Sequence, residues 1–195
     1  MGQIYTDFDG AMSDFTITTL TPEMTAESAQ AAALLQRVFA PQGSWATLAE
    51  SEQEVDEMLQ PERIVRIAIA GGQVIGWIGG IPEYDGNVWE LHPLLVAPEW
   101  QGQGVGAALV RDFEEQVTAR GALTVQLGTD DVTDATSLSG ADLYDEPWRH
   151  IREIRNVNRH PFEFYQKQGY TIIGVIPDAN GRGRPDIYMC KRVGR

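Results

Sequence analysis

The chain of 195 residues contains one cysteine, Cys190, and three histidines, His92, His150 and His160. A single thiol excludes an internal disulfide and fits a reducing setting. With so few histidines no metal-ligand spacing can be assembled, so no metal is expected. Cationic side chains are scarce as well: 15 Lys and Arg stand against 28 Asp and Glu, a net charge of −13. Such a chain repels nucleic-acid phosphates and anionic lipid headgroups and attracts cationic small molecules. No apolar run approaches the roughly 18 residues of a membrane span. The first eleven residues lack the basic and apolar pattern of a signal peptide, so a cytoplasmic protein with no membrane partner is expected.

What remains is ordinary globular material, 43% hydrophobic and 22% charged, without repeats and of a length that one core can serve. Gly10-Ala11-Met12 reads as the end of a vector-derived leader over 1–11, ahead of a second start at Met12, which leaves 12–195 as a single domain. Charge is lopsided. Residues 1–146 carry 24 acidic and 5 basic side chains, and residues 147–195 carry 4 acidic and 10 basic. The basic end could hold phosphates or simply be solvated.

Helical and strand patterns alternate. β-branched residues predict a strand over 15–20, and Thr21-Pro22-Glu23 opens an Ala-rich helix to about residue 40. An acidic helix follows over 44–60. Residues 64–70 and 74–81 flank Gly71-Gly72 as a hairpin. The next strand, 88–97, has Pro93 in its middle. Proline cannot donate to a ladder, so the strand should bulge or pull away there. Gln101-Gly102-Gln103-Gly104-Val105-Gly106 then leads into a helix with apolar Val105, Leu109, Phe113 and Val117. Strands over 122–127, 170–176 and 185–191 complete the pattern.

A strand, a glycine loop and a helix in that order place free backbone N–H groups at a helix N-terminus, where an anion is favoured and absent Cβ atoms permit close approach. The same string also describes a plain packing turn. It lacks the P-loop lysine and serine and misses the dinucleotide-binding spacing by one residue. Gln-x-x-Gly-x-Gly after a strand resembles the acetyl-coenzyme A motif of the GCN5-related N-acetyltransferase (GNAT) superfamily. Asn158-Arg159-His160-Pro161-Phe162-Glu163-Phe164-Tyr165-Gln166-Lys167-Gln168-Gly169-Tyr170 is similar to that superfamily's Asn...Phe-Tyr-x-Lys-x-Gly-aromatic helix. Within it, Trp89-Glu90-Leu91-His92-Pro93-Leu94, Leu127-Gly128-Thr129-Asp130-Asp131, Thr136-Ser137-Leu138-Ser139, Ile176-Pro177-Asp178-Ala179-Asn180-Gly181 and Pro185-Asp186-Ile187 resemble the enterococcal type of aminoglycoside 6'-N-acetyltransferases.

The resemblance implies an α/β fold, the GNAT acyl-CoA N-acyltransferase fold, with a mixed, V-splayed central sheet flanked by helices. It implies acetyl-CoA as co-substrate and a homodimer. The amides of Gln101, Gly102, Gln103, Gly104, Val105 and Gly106 would hold the coenzyme pyrophosphate, Leu95 and Val96 would line its pantetheine, and Asn158 belongs to the same cofactor-binding set. The Leu94 N–H would face the thioester oxygen, and Tyr165 would protonate the departing thiolate. Acetyl transfer also needs a neutral amine, so a base is required. Glu90 and His92, two apart on one strand and therefore on one side, are both candidates. Trp89 with Glu90, His92, Asp130, Asp131 and Asp178 makes the expected substrate set. Asp130 and Asp131 could form a cation seat, since no basic residue occurs over 121–148, or an ordinary solvated turn; Asp178 also fits turn chemistry. Polyamine or peptide amines, and a coenzyme A-binding module without transfer, are the alternatives.

Overall fold

The computed structural model describes residues 15–194 and the backbone of residues 3–5. Most of the leader expected over 1–11 lies outside the described residues. Within it, however, β1 (Gln3–Tyr5) pairs antiparallel with β2 (Phe15–Thr19), so the stretch set aside contributes a strand. No described helix is long and apolar enough to cross a membrane. The chain forms two compact units, Met1–Leu123 with Gly194, and Thr124–Val193.

In the first unit, β2 pairs antiparallel with β3 (Ile64–Ala70), β3 with β4 (Gln73–Glu83), and β4 with β5 (Val88–Val96). Helices α1 (Thr25–Phe39) and α2 (Leu48–Met58) cover one face, where Leu35, Met58, Ile67, Trp77 and Leu95 form the core. α2 starts four residues later than expected because Thr47 and Glu50 form a reciprocal capping box, which satisfies two otherwise orphan amides and sets the first turn. Helix α3 (Val105–Ala119) covers the other face. There Asp112 takes a bidentate contact from Arg66 of β3, at 2.6 and 2.9 Å, in a buried ion pair that Thr19 also joins.

The defect foreseen at Pro93 is present as a bulge. Between the pairs Ile78–Leu94 and Gly80–Leu91, β4 contributes one residue, Gly79, and β5 contributes two, His92 and Pro93. Glycine is required on the β4 side. A Cβ at Gly79 would collide with the His92 carbonyl oxygen and lie 2.5 Å from Met58 Cε, and one at Gly80 would collide with Phe113 of α3. Successive glycines therefore let the bulge, α2 and α3 all approach one strand.

The second unit is an antiparallel sheet in the order β6 (Thr124–Asp130), β8 (Asp186–Arg192) and β7 (Thr171–Ile176), with short helices α4 (Pro147–Arg152) and α5 (Phe162–Lys167). α5 ends in a Schellman motif. Gly169 has φ 90°, its N–H bonds Gln166 O at 2.9 Å, and Tyr170 N–H bonds Tyr165 O at 3.0 Å. The accompanying side-chain contact is Tyr165 against Tyr170, edge to face with centroids 5.8 Å apart.

Replacing Gly79 with Ala should cost about 1–3 kcal/mol, because the collision is with backbone, and lower the melting temperature by about 2–12 °C. Gly174→Ala, whose added carbon meets nothing within 4 Å, should leave it nearly unchanged. Equal melting temperatures for the two variants in a thermal scan would contradict this account of the bulge.

Candidate active site

The bulge decides which way the side chains of β5 face. Leu91 lies opposite Gly80 and Trp89 opposite Pro82, on the α3 face. Glu90 and His92 therefore share the α1–α2 face, as their spacing required, and there His92 meets Glu54 of α2. Trp89 does not join them. Its ring is 4% exposed and lies beneath Arg120, 5.5 Å from the guanidinium carbon, so an amine seated at Glu90 and His92 would not touch it.

Past the bulge the parity has switched. Leu94 pairs with Ile78 and Val96 with Gly76 on the α3 side, while Leu95 packs into the core opposite Trp77. What Leu95 can offer a ligand is thus its backbone. Leu94 follows directly on Pro93, which supplies no N–H of its own.

The loop into α3 is built as its glycines suggested. Gly102 and Gly104 have φ of 74° and 83°, a region costly for any other residue, and Gly104 is the N-cap with no side-chain cap. Exposed Gln101 and Gln103 bend back on the preceding chain, donating to Val96 O at 3.0 Å and Glu99 O at 2.7 Å, and so latch the loop in place. The first i→i−4 bond of α3 runs from Ala108 N–H to Gly104 O. The amides of Val105, Gly106 and Ala107 ahead of it have no helical carbonyl to meet, which makes this end a donor cluster fit for a phosphate anion.

Beside α2 lies a cavity of about 320 Å³ lined by Trp45, Glu50, Gln53, Glu54 and Glu57 together with Gly43 and Ala46. Sequence reasoning missed it. The acidic stripe at 50, 54 and 57 was legible as a helix face, but nothing local says that Trp45 and His92 stand beside it.

In the second unit the expected pair of aspartates divides. Asp130 is exposed and accepts from Asn180 Nδ2 at 2.6 Å. Asp131 is 0% exposed, and its carboxylate accepts from the N–H groups of Ala135 and Thr136 and from Thr136 Oγ1, at 2.6 to 2.9 Å. The two-carboxylate cation seat is therefore corrected: successive residues at a strand end point to opposite sides, and only Asp130 is left facing solvent. Asp178 is exposed and closes its own turn by accepting from Gly183 N–H at 2.6 Å. Asn158 is exposed, held through its backbone to Ala135 O.

Tyr165 is 8% exposed, and burial pushes its phenol far above the usual range. It keeps its proton at neutral pH, so its hydroxyl is available as a hydrogen-bond donor and not as a phenolate base. A thiol is much more acidic, so what a phenol in this state would offer a thiolate is chiefly a hydrogen bond.

His160, which had no assigned part, holds this unit together. Phe162 N–H donates to Nδ1 at 3.2 Å, so the proton resides on Nε2, which lies 3.2 Å from Asp130 O. Asn156 clasps its backbone on both sides. Burial lowers its pKa, with the Asp130 carbonyl and the charges of Asp131 and Asp130 opposing.

Comparison with known proteins agrees with these features. The family model described as acetyltransferase (GNAT) family matches residues 30–139. The chain belongs to the acetyltransferase (GNAT) family. A crystal structure of aminoglycoside 6'-N-acetyltransferase complexed with coenzyme A is 38% identical, covering 91% of this chain and 96% of that one, with a TM-score of 0.86. The aminoglycoside 6'-N-acetyltransferase from Enterococcus faecium is 39% identical over the same shares, with a TM-score of 0.85. An aminoglycoside 6'-acetyltransferase type Ii is 34% identical, with a TM-score of 0.71. The α/β acyltransferase fold implied by the motifs is the fold shared with these structures.

His160 generates a pH prediction. Its folded pKa lies below the ordinary 6.5, so the unfolded chain takes up the proton first as pH falls, and stability is lost on acidification below about 6.5. The urea midpoint should fall between pH 7.5 and pH 5 in the wild type. His160→Gln should flatten that slope, whatever its effect on stability at pH 7.5, and an unaltered slope would remove His160 from the account.

Proposed function

We propose that the protein transfers the acetyl group of acetyl-CoA to a primary amine of a cationic small molecule, the 6'-amine of aminoglycoside antibiotics, and so confers resistance. The observation that carries this reading is the likeness, at 38–39% identity over 91% of the chain, to two aminoglycoside 6'-N-acetyltransferases. The uncapped glycine-rich start of α3 supports pyrophosphate binding there. The acidic cavity beside α2, together with Glu90, supports a polycationic acceptor.

In this reading the amine nitrogen attacks the thioester carbon, a C–N bond forms and the C–S bond breaks. The proton lost by the amine passes to a base on the Glu90 and His92 face. The thioester oxygen draws on the Leu94 N–H, and the departing sulfur draws on the Tyr165 hydroxyl. Asp178 and Asp130 contribute charge at the acceptor, and Asn158 stays with the coenzyme. The protein works in the cytoplasm as a homodimer of a single acetyltransferase domain. Sedimentation at micromolar concentration should show twice the 21.6 kDa chain mass, and a monomer alone would refute the dimer.

Thiol release from acetyl-CoA should be rapid with kanamycin and lost with the analogue bearing hydroxyl in place of the 6'-amine. Tyr165→Phe should lower kcat by about 10- to 100-fold with little change in KM for kanamycin. Turnover of polyamines or peptides but not kanamycin would favour the alternative acceptors. Coenzyme binding without thiol release to any amine would make the protein a binding module.

A further inference from the structure

Directly behind His92 stand two side chains of the cavity lining that carry no step of the acetyl transfer described above. Trp45 lies in the connection between α1 and α2, packed edge-on against Phe39 with centroids 5.2 Å apart, and Glu54 lies in the middle of α2. The Glu54 carboxylate bridges the space between the indole and the imidazole. Its Oε2 accepts from Trp45 Nε1 at 3.2 Å, and its Oε1 is 3.4 Å from His92 Nε2. The two rings are themselves in contact, with centroids 5.9 Å apart.

We propose that Glu54 is a positioning residue for His92, its carboxylate engaging Nε2 so that only the Nδ1 edge of the imidazole is left to address the acceptor. The proposal rests on the acetyl-transfer reading and adds to it a residue outside β5. Nothing in α2 itself calls for a glutamate at 54: the helix is capped by Thr47 and Glu50, and other acidic side chains already solvate its outer face. A carboxylate with a side chain only 17% exposed is costly unless it is paired, and the partners present are Trp45 and His92.

The charged groups around His92 agree with this pairing. Burial alone would lower its pKa, but the hydrogen bond and charge of Glu54, with the charge of Glu90 on its own strand, outweigh both burial and Arg63, and the net movement is upward. Glu54 is held below its ordinary value, first by the His92 hydrogen bond and against its own burial. An imidazole held this way is a hydrogen-bond donor at Nδ1 on the acid side of its raised pKa, and the acceptor's proton then passes to Glu90.

The test is a titration of the three histidine side chains by nitrogen NMR in the wild type, Glu54→Gln and Glu54→Asp, beside steady-state kinetics with kanamycin. Glu54→Gln should move the His92 titration to lower pH and leave the signals of the other two histidines in place, which also reports an intact fold. In the same variant kcat/KM for kanamycin should fall on the order of tenfold, with the His92-dependent limb of the pH profile moved to lower pH and KM for acetyl-CoA unchanged. Glu54→Asp should recover part of both effects. Trp45→Phe, which keeps a ring against Phe39 but removes the indole N–H, should shift both in the same direction by less, and it serves if Glu54→Gln does not fold. An unmoved His92 titration, or a moved one with unchanged kcat/KM and pH profile, overturns the proposal. A wild-type protein that acetylates no amine overturns the acetyl-transfer reading alone, because the titration needs no acceptor and decides the Glu54–His92 pairing by itself.

Discussion

One extra residue in β5, accepted because β4 has glycine opposite it, governs where every reactive group of the first unit comes to lie. Before the bulge, Glu90 and His92 face α2 while Trp89 and Leu91 face α3. After it the parity is reversed, so Leu95 is drawn into the core and Leu94 leaves the His92 side. A regular strand would carry Leu94 on the same face as His92, and Leu95 would turn away from Trp77.

Close packing enforces this arrangement from both sides. Met58 of α2 and Phe113 of α3 rest on Gly79 and Gly80, so neither helix can move in or out without disturbing the bulge. Interiors at this density transmit a misfit of one methyl group rather than absorb it. The same contact brings α2 close enough for Glu54 to reach His92. The Glu54–His92 contact is thus coupled to the core of this unit through one helix and one strand.

The second unit reaches definition by a different route, through polar closure of loops. Buried Asp131 and His160 each spend their hydrogen-bonding capacity on nearby groups, mostly backbone, and so hold a long irregular segment whose Ala135, Leu138 and Leu143 are buried beside them. Tyr165 is fixed by backbone as well, its carbonyl bound at the end of α5 and its ring set against Tyr170. Burial then keeps the phenol protonated, the state a donor to a thiolate requires.

Most of this frame was legible in the chain itself. Apolar periodicity and glycine placement located the strands and the long helices, Pro93 announced the bulge, Gly169 announced the end of α5, and the glycines at 102 and 104 announced the tight turn into α3, because each depends on backbone conformations that few residues can adopt. Local pattern could not show that Asp131 turns inward while Asp130 stays in water, that Trp89 is covered by Arg120, or that Trp45 and Glu54 stand behind His92. Those facts depend on which faces of separate elements meet. The sequence determines the elements and the points at which they bend, whereas the direction, burial and charge of each side chain are decided only when the elements pack.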